Sequence, residues 1–177
     1  MEESDVDLLR QARSGKSEAF HRLMDRHAPA LFRLASNLVP NHQDAEDVVQ
    51  ETFIAGFRAL KSFQERSSVK TWLYAIAYRQ AALLRRKRRI PFQMLSEETP
   101  LPSPSESTHV SAVDARIDLN EALANLPEDH RAILILRELD GLSYEEISSV
   151  LGLPRGTVES RIHRARQSLK NLLSPPQ

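Results

Sequence analysis

An all-α fold of two small helical modules is what this sequence predicts, and three observations predict it. Apolar residues recur at three- and four-residue spacing along most of the chain, and the N-terminal part has no period-two alternation and no hairpin dipeptide. Between Ile90 and Val113 the composition changes, with Pro91, Pro100, Pro102 and Pro104 set among Ser, Thr and Glu. Such a stretch cannot bury enough apolar surface to order itself and is expected to be a flexible linker. The expected boundaries are 1–90 for the first module, 91–112 for the linker and 113–177 for the second module.

Each element follows from a local pattern. Asp5 to Arg13 forms a short amphipathic helix, and Ser17 is placed to cap a longer one through about Val39, bearing Phe20, Leu23, Met24, Leu31, Leu34 and Leu38. Pro40-Asn41 breaks that helix. A third runs from about Gln43 to Leu60 with Val48, Val49, Phe53, Phe57 and Leu60 as its apolar positions. A short polar loop, SFQERSS, leads to a fourth helix from about Val69 to Arg88 carrying Trp72, Leu73, Ile76, Ala77 and Leu84. Beyond the linker, helices are expected near Asp114 to Ala124 and from Pro127 to Leu139.

The last pair is the most informative. Ser143 and Glu146 form a capping box ahead of Ile147, Val150 and Leu151, Gly152 stops that helix, and Pro154 suits the first turn of the next. Val158, Ile162, Ala165 and Leu169 make the second helix's buried stripe, while Arg155, Ser160, His163, Arg164 and Arg166 lie away from it. Short polar side chains with arginines on the flank suit entry into a DNA major groove, with guanidinium groups on phosphates. The plain alternative is a solvated face on a helical hairpin.

Composition narrows the function classes. The chain has 177 residues and no cysteine, which excludes disulfides, thiol catalysis and Cys-based zinc sites. There is no run of about 18 apolar residues and no signal-peptide pattern, so a cytoplasmic protein with no membrane insertion is expected. Acids and bases balance at 24 each, yet they are segregated. Arg79 to Arg89 carries no acid and Met94 to Asp114 no base, as when particular faces meet phosphate. His21, His27 and His42 lack metal-site spacing with carboxylates, and no HExxH, Gly-rich phosphate loop or nucleophile elbow occurs. No metal, cofactor or catalytic residue is expected, and the chain is not expected to be an enzyme.

Two blocks, DAEDVVQETFIAGFRAL with SFQERSSVKTWLYAIAYRQAALLRRKRR, and ALANLPEDHRAILILRELDGLSYEEISSVLGLPRGTVESRIHRARQSL, resemble regions two and four of bacterial sigma factors of the extracytoplasmic-function (ECF) group. The resemblance covers nearly the whole chain. It implies an alternative sigma factor that binds core RNA polymerase, directs initiation at promoters of one regulon and is held inactive by an anti-sigma factor. It also implies that Asp44, Asp47, Gln50, Glu51 and Phe53 dock on the clamp helices of the largest polymerase subunit. Asp47, Gln50 and Glu51 lie within about one helical turn, so they can share one exposed patch.

The loop Phe63, Gln64, Glu65, Arg66, Ser67 and Ser68, with Lys70, Arg79 and Gln80, corresponds to the part that recognises the minus-ten element. A basic groove with a pocket for an unstacked base is what such recognition needs. Family members commonly carry asparagine where this chain has Arg79, so base preference there does not carry over. Trp72 reads as core, with a strand-separating wedge as the alternative. Arg85, Arg86, Lys87, Arg88 and Arg89 exceed what a helix C-terminus requires and are expected on the DNA backbone.

For the minus-thirty-five element the resemblance implies Arg155, Gly156, Thr157, Glu159, Ser160, His163, Arg164 and Arg166. Many relatives have a base where Glu159 stands; its carboxylate can accept from a cytosine amino group or repel phosphate. A regulator that binds DNA through the C-terminal pair and dimerises or senses through the N-terminal helices is the rival reading, and polymerase association separates the two.

Overall fold

The computed structural model describes residues 3–93, 119 and 121–173, with the backbone alone for 89–93. Among the described residues it is helical without strands. Helices α1 (Asp5–Arg13), α2 (Ser17–Leu38), α3 (His42–Ala59) and α4 (Val69–Gln93) make the first module, with a 3-10 turn at Leu60–Ser62. Residues 121–125 are helical, followed by α5 (Glu128–Leu134), a π turn at Ile135–Leu139, α6 (Tyr144–Leu151) and α7 (Arg155–Leu173). The linker expected at 91–112 lies mostly outside the described residues, but its first three positions continue α4.

Helix α2 is the hub of the first module. Its stripe of Phe20, Leu23, Leu31, Leu34, Ala35 and Leu38 is buried, and it packs on α1, α3 and α4. Removing such apolar side chains from water is the main stabilising term, roughly 1.5–3 kcal/mol for each large residue. Asp5 ties α1 to α2 by accepting from Arg26 at 2.6 Å and approaching His27 Nε2 at 2.7 Å.

One expectation needs correction. Lys16, not Ser17, is the N-cap of α2, and no side chain caps it; Ser17 is already the first helical residue. Phe57, one of the apolar positions of α3, is 54% exposed because it falls off that helix's buried stripe, and its ring meets the edge of Phe20 at 5.2 Å between centroids.

The second module closes around Ala132, Ile133, Leu134, Ile135 and Leu136, which are buried with Ile147, Val150, Val158, Ile162 and Ala165. The Ser143–Glu146 capping box is formed in both directions, and the Ser143 N–H, with burial opposing, holds the Glu146 carboxyl below its ordinary range. Gly152 takes a left-handed φ of 66°, which reverses the chain into α7 without the Cβ clash of other residues.

The two modules are docked on each other, α6 against α4 and α5 against α2. The π turn, closed by the Asp140 N–H donating to the Ile135 carbonyl at 3.0 Å, delivers Asp140 to the junction. There Asp140 has a fully buried side chain and accepts from Arg33 at 2.5 Å, while Lys70 donates to its backbone carbonyl at 3.2 Å. Tyr74 is fully buried beside them, and burial first, then the Asp140 charge, pushes its phenol well above the usual range, so it stays neutral. Thr71 donates to Glu146 at 3.2 Å and Arg85 to Glu128, adding polar contacts around the apolar seam.

Arg33→Ala strands a buried carboxylate and is expected to cost about 3 kcal/mol in urea denaturation. Combining it with Asp140→Ala recovers part of that loss, and strict additivity of the two changes would show that the pair is not coupled.

Candidate nucleic-acid interface

Helix α3 begins with Asn41, whose side chain accepts from the Asp44 N–H at 2.9 Å. Asp44 itself is fully buried and ion-paired with Arg88, so it departs from the expected docking patch: its carboxylate serves the α3–α4 contact. Phe53 is buried as well, with its ring side lining the α2–α3 groove. What α3 exposes is Gln50 and Glu51, with Asp47 half-buried, and then Ile54 and Phe57. Ile54 lies four residues beyond Gln50 and Phe57 three beyond Ile54, so all share a face. This places an acidic and amide cluster beside an open apolar groove of 470 Å³ lined by Phe20, Met24, Phe53, Ile54 and Phe57. Ile54 and Phe57 escape a sequence reading that counts apolar residues as core; the available signal is that both fall off the Ala45, Val48, Thr52 and Gly56 stripe.

Helix α4 divides the expected minus-ten residues among three faces, because each residue advances about 100° around the axis. Lys70, Arg85 and Arg88 fall within about 60° of one another, and each is engaged with protein. Lys70 meets Asp140, Arg85 the Leu38 carbonyl at 2.7 Å and Glu128, and Arg88 the buried Asp44. In the docked arrangement their donors meet protein acceptors, those of Lys70 and Arg85 on Asp140 and Glu128 lying across the junction between the modules. Gln80 and Lys87 sit on a second face, in a groove with Asp47, Gln50 and Glu51. Arg79 and Arg86 share the third face with Trp72, within about 40°. Both are exposed, and Arg79 donates to the Ala75 carbonyl at 3.0 Å. The side chain of Arg89 lies outside the described residues.

The loop before α4 is joined to that third face. Phe63 stacks on Trp72 at 4.5 Å between centroids, which makes Trp72 a half-buried support rather than an exposed wedge. Gln64, Glu65 and Arg66 are exposed, Ser67 is half-buried, and Ser68 caps α4 through the Thr71 N–H at 3.0 Å. Arg79 and Arg86, both exposed, lie on the α4 face that carries Trp72, about 10 and 21 Å along the axis from it.

On α7 the same 100° step separates two groups. Gly156, Ser160, His163, Arg164 and Gln167 span the outer face opposite Val158, Ile162 and Ala165, and all five are exposed. Arg155, Glu159 and Arg166 share a flank. Arg155 bridges Glu145 at 2.6 Å and Glu159 at 3.1 Å, and Arg166 pairs with Glu138 at 2.6 Å. Those carboxylates, first through their hydrogen bonds, hold both guanidinium groups firmly charged. Thr157 is half-buried beside the outer face. Gln167, two turns along from Ser160, was not among the expected residues; its position opposite the buried stripe is the signal for it.

Among the described residues no cluster of His, Asp and Glu suits a metal, and no helix is long and apolar enough to cross a membrane. Residues 23–90 match the family model for sigma-70 region 2 and residues 116–169 that for sigma-70, region 4. The chain is 40% identical over 162 residues to the ECF RNA polymerase sigma factor SigE of Mycolicibacterium smegmatis, covering 88% of this chain and 62% of that one. It is 35% identical over 187 residues to the RNA polymerase sigma-H factor of Pseudomonas aeruginosa, covering 98% of this chain and 96% of that one. Among solved structures it is similar to the sigma factor RpoE in complex with the anti-sigma factor NepR from Bartonella quintana, with a TM-score of 0.70 and 30% identity over 89% of this chain and 98% of that one. Both sigma regions are present in order, on a fold that matches at domain scale. The protein is a transcription initiation factor that binds core RNA polymerase and promoter DNA, not an enzyme, and it belongs to the ECF group of bacterial sigma factors.

Proposed function

We propose that the three exposed surfaces divide the work of a cytoplasmic ECF sigma factor whose modules span 1–90 and 113–177, joined by 91–112. Asp47, Gln50 and Glu51, extended by Ile54 and Phe57, dock on the clamp helices of the polymerase. The loop from Phe63 to Ser68, with Arg79 and Arg86, takes the minus-ten element, and the outer face of α7 takes the minus-thirty-five element. The observation that carries this reading is the Phe63–Trp72 stack, which ties the loop to the face of α4 on which Arg79 and Arg86 are exposed. A splayed base needs a π face or polar pocket beside cationic backbone contacts, and here the exposed polar side chains of Gln64 and Arg66 stand ready for the base, with Arg79 and Arg86 for the backbone.

The docked modules set a condition on this function. Elements named for positions ten and thirty-five lie about 25 base pairs apart, about 85 Å of duplex at about 3.4 Å per step. A compact chain of this length has a radius of gyration of about 16 Å, so the two faces reach both elements only after the junction opens. Control by an anti-sigma factor fits the same geometry. The RpoE relative is bound to one, and here the apolar groove of α2 and α3 adjoins the polymerase patch, so one partner excludes the other.

Run-off transcription with core polymerase and a pool of upstream genomic fragments tests the reading. Discrete start sites dependent on the protein are expected; salt-sensitive duplex binding without core binding would hand the chain to the regulator reading. Neutralising Arg79 and Arg86 together is expected to weaken promoter binding by the holoenzyme and lower the log–log salt slope by about 1.5. Neutralising Arg85 and Arg88 instead lowers stability, and an equal effect of the two pairs on the salt slope would refute the division between them. Arg164→Ala is expected to reduce use of the upstream element roughly tenfold with core affinity unchanged; equal loss of both would make α7 structural there.

A further inference from the structure

The loop assigned above to the minus-ten element is gripped by a residue from the other end of the module. Arg13, the last residue of α1, directs its guanidinium at three points of the segment 60–65. Its Nε donates to the Leu60 carbonyl at 3.0 Å, its Nη2 to the Phe63 carbonyl, and its Nη1 to Glu65 Oε1 at 2.6 Å. The same group lies 5.9 Å from the centroid of the Phe63 ring, which also stacks on Trp72. Its side chain is only 25% exposed, so these bonds are partly shielded from water.

The backbone at this place needs such a grip. Glu65 has a φ of 55°, and among the described residues no other non-glycine has a positive φ. That conformation is disfavoured for a residue with a Cβ and persists where the surroundings over-determine it. Arg13 supplies the constraint on both sides, through the carbonyl two residues before Glu65 and through the Glu65 carboxylate itself. A planar fork with fixed donors is suited to this in a way a lysine is not. Arg13 also stands outside residues 23–90, the part matched to sigma region 2.

We infer that Arg13 is a positioning residue for promoter reading: it locks the loop so that Gln64 and Arg66 are presented to the unstacked strand, with Glu65 as a strut rather than a base reader. This rests on the minus-ten reading of the loop. Without Arg13 the Glu65 carboxylate is unneutralised beside the DNA path and the turn relaxes from its left-handed conformation.

The test uses full-length protein in holoenzyme on the promoter found by run-off mapping, with single substitutions in the minus-ten and minus-thirty-five elements. Arg13→Ala is expected to reduce discrimination at minus-ten positions about tenfold, with minus-thirty-five discrimination and core affinity within about twofold of the parent. Arg13→Lys, which reaches one acceptor rather than three, recovers only part of it, and Glu65→Ala reproduces part of the loss. If Arg13→Ala lowers only the melting temperature, or lowers core binding and use of both elements in proportion, the positioning role is overturned. Gln64→Ala and Arg66→Ala on the same templates separate the premise. If they also leave minus-ten discrimination unchanged, the loop reading itself fails; if they reduce it while Arg13→Ala does not, only the role of Arg13 fails.

Discussion

Asp140 carries a carboxylate with no solvent exposure, and the arrangement of the two modules depends on how that charge is satisfied. A buried ion is costly unless paired and hydrogen-bonded, so the π turn that places Asp140 at the junction also requires Arg33 opposite it and Tyr74 as a neutral wall. Lys70 closes on the adjacent carbonyl. The apolar seam of α4 and α6 supplies the non-directional attraction, while these polar groups fix which residues face each other. Such a junction is specific yet able to part, since Arg33 is half-exposed and water reaches one side of the pair.

That arrangement explains why counting cations misjudges a nucleic-acid surface. Of the run at the end of α4, Arg85 and Arg88 are engaged in the docked arrangement by Glu128, the Leu38 carbonyl and Asp44. Arg86, one step around the helix, keeps its charge for solvent. The same holds on α7, where the carboxylates of Glu145, Glu159 and Glu138 occupy Arg155 and Arg166 while Arg164 faces outward. Glu159 therefore acts first on Arg155, and the cytosine and phosphate roles considered for it compete with that bond. Charge available to DNA is the charge left after the protein's own acceptors are met.

Helix existence and type were legible from residues alone, since the 3.6-residue period, the Ser143–Glu146 box and the left-handed Gly152 are local signals. The α1 limits, the break at Pro40-Asn41 and the stripe of Val158, Ile162 and Ala165 all follow from contacts within a few residues. The two sigma blocks, and with them the family, were equally legible. Of the candidate surfaces, Gln50, Glu51, Ser160, His163 and Arg164 were legible because exposure on a helix follows from position relative to the apolar stripe.

What only the tertiary structure decided concerns partners distant in sequence. Asp44 meeting Arg88, Asp140 meeting Arg33, and Arg13 meeting the loop at 60–65 join residues with no shared period, so no local pattern encodes them. The exposure of Phe57 and the split of α4 into three faces likewise depend on which neighbours pack against each side. The sequence by itself determined the helices, their amphipathic faces and the family, because these rest on short-range periodicity and motif spacing. The fold decided which charges remain free, since that depends on which acceptors three-dimensional packing brings within reach.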